Sequence, residues 1–224
     1  MRKTRYEQML VSDLVAARAE APLVYVPIGS TEYHGFHLPL GFDAINAHEL
    51  CLRAAQETGG VVLPPTYWGT RGHETFEGSL LLKEGTIATL VRDVLSQLRR
   101  LRYRLIVLFT GHHPDVQGVL LKRVADEFMA ANPAVRVEVL DPFYIYPNEL
   151  GIEHAGKQET SMMLYLRPEL VDMAKLKLEG ALDAISKDCV EATPEFGREL
   201  VEKVVTALVA RVRAALEEMA GASK

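Results

Sequence analysis

Leu105-Ile-Val-Leu-Phe109 is a run of five apolar residues without a single polar side chain. Successive side chains of a strand point to opposite faces of the sheet, so this run predicts a strand that is buried on both faces. Strands of that kind are typical of the centre of a parallel sheet covered by helices. We therefore expect this segment to be the central strand of an α/β fold.

The segments next to this strand predict helices. Between Lys83 and Arg102, apolar residues recur at helical spacing. This stripe consists of Leu90, Val91, Val94, Leu95, Leu98 and Leu101. A further helix is predicted from Val116 to Ala131, and Val135 to Leu140 predicts another strand.

The flanking parts of the chain repeat the alternation of strand and helix. A strand is predicted over Leu23–Ile28, a helix over Ala44–Thr58 and a short strand over Gly60–Leu63. A loop rich in glycine, threonine and aromatic residues follows from Tyr67 to Ser79, and a long helix ends the chain around Val201–Leu216. This order predicts a mostly parallel central sheet flanked by helices on both faces, a three-layer sandwich. We expect residues 1–224 to form a single domain.

Composition excludes several classes of protein. The 224 residues are 48% hydrophobic and 25% charged, and interspersed charges give a net of -5, so no basic surface is expected for nucleic acid. No apolar run approaches the roughly 20 residues of a membrane-spanning helix. The basic residues near Met1 are not followed by the apolar segment and cleavage site of a secretory signal. We expect a cytoplasmic protein with no membrane partner. Cys51 and Cys189 are predicted to be buried thiols without a role.

Polar side chains follow two of the predicted strands directly. Glu32 and His34 come after the first strand, and His112 and His113 come after the central strand. Ligands of parallel α/β sheets bind beyond the carboxyl ends of the strands, where these two clusters are expected to meet. A carboxylate and an imidazole two residues apart suit Zn²⁺, Mn²⁺ or Fe²⁺.

Taken singly, several of these residues have an ordinary structural explanation. Glu32 and His34 could belong to a polar loop, and Asp43, just before the helix from Ala44, could be its N-cap. The adjacent histidines at 112 and 113 favour a site more strongly, because they have little packing value there. His154 to Glu159 begins another predicted helix and supplies an imidazole and a carboxylate, which could equally be solvated.

Four motifs together resemble the creatininase family. Gly29-Ser-Thr-Glu-Tyr-His-Gly-Phe-His-Leu-Pro-Leu-Gly-Phe-Asp43 is similar to the family signature Gly-Ser-x-Glu-x-His-Gly-x-His-Leu-Pro-Leu-x-x-Asp. Gly111-His112 resembles the Gly-His pair after the family's central strand, and His154-Ala-Gly-x-x-Glu-Thr-Ser161 its C-terminal motif. Gly72-His73 to Leu80 resembles a His-x-x-Phe-Pro-Gly-Thr-Leu loop. The motifs cover residues 29 to 161 in the family's order.

The resemblance implies a site for one or two divalent metals. The family's ligands fall on Glu32, His34, Asp43 as the bridging carboxylate, and His112. His154 matches the family's catalytic histidine, and Glu159 a nearby carboxylate that could orient His154 or act on the water. The resemblance also places four residues near the substrate: His37, His73, His113 and Tyr144.

Two departures from the family pattern limit the transfer. Creatininase has a second-metal ligand, a glutamate, two residues after the histidine of the Gly-His pair, and Pro114 stands there in this chain. His113, Asp115 or Glu159 could replace that ligand. Creatininase also closes tryptophans over its substrate, whereas residues 141 to 154 contain none. The second departure argues against creatinine itself as the substrate.

The implied function is a metal-dependent hydrolase, an amidohydrolase that cleaves a C–N bond of a small cyclic or linear amide through an activated water. One alternative is ring opening of a cyclic ketone such as an inosose, because a family relative cleaves a carbon–carbon bond. Another family branch trims a precursor peptide. A non-catalytic metal-binding or assembly protein is the alternative from a different class. The family also implies a homo-oligomer, with a hexamer favoured.

Overall fold

The fold is built on a parallel sheet. The structure, a computed structural model, describes residues 2–142 and 153–221. Its strands are β1 (Leu23–Ile28), β2 (Val61–Val62), β3 (Leu105–Thr110) and β4 (Arg136–Leu140). They form one four-stranded sheet in the order β2-β1-β3-β4, and every described pair is parallel. The predicted central strand therefore has a strand on each side.

The two middle strands are completely buried and in register. All six residues of β1 and all six of β3 are buried. Leu23 is paired with Leu105 and Ile28 with Thr110, so both strands end at the same level. As a result, the chain leaves the sheet after Ile28 and after Thr110 at one edge.

Helices cover both faces of this sheet. They are α1 (Val11–Glu20), α2 (Phe42–Thr58), α3 (Glu84–Arg100), α4 (Asp115–Ala131), α5 (Lys157–Leu166) and α6 (Pro194–Gly221). One face packs on α2, α5 and α6 through alternate strand residues such as Tyr25 and Val107. The other packs on α1, α3 and α4 through residues such as Val26 and Leu108. The predicted three-layer α/β fold is confirmed.

Two helices differ from the prediction. Helix α1 was not predicted, because its apolar side chains do not form one stripe: Leu14 packs on the core, whereas Val11 and Val15 are exposed. Helix α2 begins at Phe42, two residues earlier than expected, and its N-cap is Gly41. Asp43 is therefore inside the first turn and does not cap the helix.

Two glycines allow α2 to approach the ends of both middle strands. A Cβ on Gly29 would lie 2.1 Å from the backbone nitrogen of Ala44, and one on Gly111 would lie 2.3 Å from the carbonyl oxygen of Asp43. Any larger residue would push the helix away from the sheet. The glycines thereby bring Asp43 against the strand ends where the polar clusters emerge.

The helices and the two cysteines bear on two further expectations. Among the helices of the described residues, none is long and apolar enough to cross a membrane. Cys51 and Cys189 are both free thiols and both buried, as predicted.

We predict that Gly29→Ala destabilises the fold, because the added methyl group meets backbone atoms that cannot rotate away. Overpacking of this kind costs about 1–3 kcal/mol. The matched control is Gly85→Ala on the exposed first turn of α3, where the new Cβ meets nothing within 4 Å. The control should leave stability unchanged or raise it by up to about 1 kcal/mol. Urea unfolding measures both, and equal stabilities would contradict the tight contact.

Candidate metal centre

Asp43 lies at the centre of the polar cluster and is almost completely buried. Its Oδ2 accepts a hydrogen bond from the Ser30 hydroxyl at 2.7 Å and lies 2.9 Å from Nδ1 of His112. Its Oδ1 lies 3.1 Å from Nε2 of His34. The two oxygens of one carboxylate therefore face two different imidazoles.

Backbone carbonyls determine which nitrogen of each imidazole carries a hydrogen. Nδ1 of His34 lies 3.0 Å from the carbonyl oxygen of Glu32. Nε2 of His112 lies 3.1 Å from the carbonyl oxygen of Thr70 and 2.9 Å from that of Arg71. A carbonyl oxygen only accepts, so these nitrogens are the donors. Nε2 of His34 and Nδ1 of His112 are left to face Asp43, where each could bind a metal.

Glu32 completes the group around His112. Its Oε2 lies 3.1 Å from Nδ1 of His112, and its Oε1 accepts the backbone N–H of His73 at 2.5 Å. The loop that contains Gly72 and His73 approaches Glu32 so closely that a Cβ on Gly72 would lie 2.1 Å from Oε1 of Glu32. The loop that resembles the family's His-x-x-Phe-Pro-Gly-Thr-Leu loop is thus held directly on this carboxylate.

The third motif contributes Glu159 from the first turn of α5. This side chain is buried, and its Oε2 accepts the backbone N–H of Ala155 at 2.6 Å. Its own backbone N–H donates to Oε1 of Glu153 at 2.7 Å. Burial raises the pKa of Glu159 to about 8. Ionisation of a buried carboxyl group is costly, and the nearby His34 offsets this cost only in part, so a further cation beside Glu159 would stabilise its charged form.

The donor atoms form two groups that share Asp43. The first group is Glu32, Asp43 and His112; the second group is His34, Asp43 and Glu159. Within each group the donor atoms lie within 4.8 Å of one another. The donor atoms of Glu32, His34 and His154 also lie within that distance and connect the two groups.

Electrostatic coupling between these residues is strong. Burial lowers the pKa of both imidazoles, but the neighbouring carboxylates outweigh it and raise the pKa of His34 to about 9 and that of His112 to about 10. Burial likewise opposes ionisation of Glu32, yet the hydrogen bond from His112 holds its pKa at about 2. The pKa of Asp43 is well below its ordinary value because His34 and His112 outweigh its burial. Positive charge on the imidazoles thus balances the two carboxylates.

His154 sits beside both groups but has a different character. Its Nε2 donates to the carbonyl oxygen of Tyr33 at 2.7 Å, which leaves Nδ1 with a free electron pair. Its ring stacks on that of His73, with centroids 3.9 Å apart and an angle of 19°. Burial, reinforced by His34 and His73, lowers the pKa of His154 to about 4. His154 is therefore a neutral imidazole that can accept a proton.

A cavity of about 170 Å³ opens onto these residues. Its lining consists of Glu32, His34, Asp43, Gly72, His73, His112, His113, Pro114, Glu153, His154 and Glu159. The structure therefore brings together all four expected metal ligands and both expected catalytic residues. Of the expected substrate-binding residues, His73 and His113 line this cavity.

Two of the expected site residues are placed elsewhere, and a third lies outside the described part of the chain. His37 is buried outside the cavity lining, where its Nε2 lies 2.9 Å from the hydroxyl of Thr160 and ties its loop to α5. Asp115 is exposed on the first turn of α4 and is not among the residues that line the cavity. Tyr144 lies outside the described residues.

Three residues near the site were not predicted from the sequence. Ser30 donates to Asp43, Glu153 lines the cavity, and Gln117 holds the loop that faces His112. Ser30 belongs to the first motif, which could have drawn attention to it. Gln117 and Glu153 have no signal in the sequence, because only tertiary contacts bring them to the site.

The donor set fits a divalent metal. Each group combines one imidazole nitrogen with carboxylate oxygens, a mixture that suits Zn²⁺, Mn²⁺ and Fe²⁺. Three buried carboxyl groups also lie close together in one cluster, and the buried Glu159 gains only a backbone hydrogen bond there. A divalent cation could take over the positive charge that the two protonated imidazoles supply to these carboxylates, and it would also stabilise the charged form of Glu159.

Several characterised proteins are similar to this chain in sequence. The creatinine amidohydrolase of Pseudomonas putida is 32% identical over 177 residues, 69% of this chain and 68% of that protein. A mycofactocin precursor peptide peptidase of Mycolicibacterium smegmatis is 26% identical over 219 residues, 86% and 85% of the two chains. A 3-dehydro-scyllo-inosose hydrolase of Thermotoga maritima is 25% identical over 179 residues, 74% and 57%.

Solved structures share the fold. A crystal structure of creatinine amidohydrolase superposes with a TM-score of 0.82 at 23% identity, covering 95% of this chain and 97% of that one. A creatininase with Mn gives a TM-score of 0.81 at 22% identity, covering 95% and 98%. The family model described as creatininase, creatinine amidohydrolase, matches residues 7–212. The chain therefore belongs to the creatininase family of metal-dependent hydrolases.

Proposed function

We propose that this protein hydrolyses a C–N bond in a small cyclic or linear amide, using divalent metal held around Asp43. The observation that carries the proposal is the division of the Asp43 carboxylate, with Oδ1 toward His34 and Oδ2 toward His112. A carboxylate that bridges two metals presents its oxygens in this way. The metal is Zn²⁺, Mn²⁺ or Fe²⁺, with one or two ions per subunit.

The first group would hold one metal through Glu32, Asp43 and His112. The second group would hold another through His34, Asp43 and Glu159. In this assignment Glu159 takes over from the glutamate that Pro114 replaces. His113 and Asp115 are weaker candidates for that role: His113 is not part of either group of donor atoms in the described residues, and Asp115 points to solvent.

Metal bound at these groups would polarise the scissile carbonyl and lower the pKa of a water molecule. The chain itself supplies the proton transfer. Neutral His154 takes up a proton of this water molecule at Nδ1. Its Nε2 stays hydrogen-bonded to the Tyr33 carbonyl oxygen, which fixes the ring. His154 then returns that proton to the leaving nitrogen as a general acid. His73, which stacks on His154, and His113 line the same cavity, and in this proposal they contact the substrate.

The cavity favours a small, polar substrate. Its volume of about 170 Å³ is below the roughly 300–1,000 Å³ of pockets that take drug-sized ligands, and its lining is almost entirely ionisable. Ring opening of a cyclic ketone is the second candidate. The inosose hydrolase among the relatives supports it, since the same polarised carbonyl would serve.

A non-catalytic metal-binding or assembly role is disfavoured, because His154 and its hydrogen bond to Tyr33 would have no purpose in it.

The decisive experiment is a screen of amides, lactams, formamides and cyclic ketones with Mn²⁺, Zn²⁺ or Fe²⁺ supplied. Metal-dependent turnover of an amide supports the proposal, turnover of ketones alone supports ring opening, and none in a metal-loaded protein supports a binding role. Assembly as a homo-oligomer, with a hexamer favoured, stays a prediction from the family, and a cytoplasmic location stays a prediction from the sequence.

We predict different metal losses from two substitutions. Asp43→Ala removes the carboxylate common to both groups and should empty both. Glu159→Gln should lower metal content by one ion per subunit, because only the second group loses a charged ligand. Elemental analysis after dialysis measures the content. Glu57→Gln, at an exposed position on α2, is the control. Full metal content in Asp43→Ala would refute the bridging role.

We predict that His154→Ala keeps its metal and loses its activity. Its role is proton transfer, and loss of a positioned general acid or base typically costs about 10²–10⁴ in rate. His112→Ala should lose metal and activity together, since it belongs to the first group. Turnover and metal content are measured on the same preparations. A metal-free His154→Ala would show that this residue is a ligand.

We predict that metal binding releases protons and tightens as pH rises. The pKa of His34 is about 9 and that of His112 about 10, so both imidazoles are protonated in the metal-free protein at neutral pH. Metal must displace those protons and, at the second group, also the proton of Glu159, whose pKa is about 8, whereas Glu32 and Asp43 are already ionised. The apparent affinity should therefore increase with pH up to about 9 to 10 and level off above. Calorimetry in buffers of different ionisation enthalpy counts the released protons. An apparent metal affinity that does not change between pH 6 and pH 8 would contradict the prediction.

A further inference from the structure

Gln117 is a completely buried amide on the first turn of α4. Its Oε1 accepts the backbone N–H of Thr70 at 3.2 Å, and its Nε2 donates to the carbonyl oxygen of Trp68 at 3.1 Å. The side chain thus forms hydrogen bonds with two backbone groups of the irregular segment 68–70. An adjacent β-strand would pair with such a segment in a similar way. The catalytic assignments above give it no role.

The same backbone segment holds the ring of His112 from its other side. Nε2 of His112 donates to the carbonyl oxygens of Thr70 and Arg71. Because this nitrogen carries the hydrogen, Nδ1 is the one that faces Asp43 and Glu32. The position of two carbonyl groups therefore determines which nitrogen of His112 is available and where it points.

These carbonyls do not occupy their places without support. Arg71 has a φ of 56° and Gly72 a φ of 129°, both in the left-handed region. A Cβ on Gly69 would lie 2.3 Å from Cβ of Ser30 and 3.2 Å from Cδ2 of His112. The left-handed backbone conformation is costly for an arginine such as Arg71, and it persists only when surrounding contacts enforce it. The two hydrogen bonds of Gln117 are contacts of that kind.

We infer that Gln117 is a positioning residue for the metal centre: its amide fixes residues 68–70, so that the Thr70 and Arg71 carbonyls hold His112 with Nδ1 toward Asp43 and Glu32. The inference rests on the proposed role of His112 as a ligand. Partners that orient a metal-binding histidine typically affect metal affinity by about 10- to 100-fold. Gln117 acts one step further out, through the backbone that supplies those partners.

The test compares Gln117→Met with Gln97→Met. Methionine keeps most of the volume of glutamine but makes neither hydrogen bond. Gln97 is an exposed glutamine of α3, distant in sequence from the site, so its substitution controls for the chemical change. Co²⁺ is the probe, because its visible absorption spectrum responds to the arrangement of the ligands. Affinity is measured by competition with a chelator, and folding by circular dichroism and thermal melting.

Gln117→Met should bind Co²⁺ about 10- to 100-fold more weakly and give an altered spectrum, while it stays folded at the assay temperature. Gln97→Met should match the wild type in both readouts. Wild-type affinity and spectrum in folded Gln117→Met would overturn the inference. If Gln117→Met does not fold, the isosteric Gln117→Glu, which places an oxygen against the Trp68 carbonyl, is judged by the same two readouts. A wild-type protein that binds no Co²⁺, Mn²⁺ or Zn²⁺ would instead refute the proposed function.

Discussion

Burial of the Asp43 carboxylate is the constraint on which the site depends. A buried negative charge is stable only when donors and positive charge surround it. Ser30 and His34 provide them from the segment after β1, and His112 provides them from the segment after β3. Each of these partners must arrive at the same point, so the strand ends, the first turn of α2 and the loop after the central strand are fixed relative to one another.

The sheet satisfies this constraint through register. β1 and β3 are paired from Leu23 with Leu105 to Ile28 with Thr110, so their following loops begin side by side. Gly29 and Gly111 then let α2 settle on those ends. Apolar burial on both faces of the sheet holds this framework together. The reactive residues can therefore lie on irregular segments and still be held precisely in place.

The site also explains how the family pattern can change at one position. Pro114 begins the turn into α4 and offers no ligand, yet Glu159 reaches the second group from α5. A carboxylate from another element can take this place because α5 packs on the same face of the sheet as α2. In the proposed assignment, the ligands are selected by their position in space, and the order of residues along the chain does not restrict them to one segment.

The sequence by itself determined the fold class, the strands and the principal site residues. Runs such as Leu105–Phe109 specify a buried parallel strand through local pattern alone, and the spacing of Glu32, His34 and Asp43 matched a known signature. Only the tertiary structure decided that Asp43 lies within α2, that His37 faces α5 and that Asp115 is exposed. It alone showed that Gln117 bonds to the backbone of Thr70, because a hydrogen bond across 47 positions leaves no periodic trace in a sequence. Local pattern encodes which face is buried, whereas the partners of a buried polar group depend on where separate segments meet.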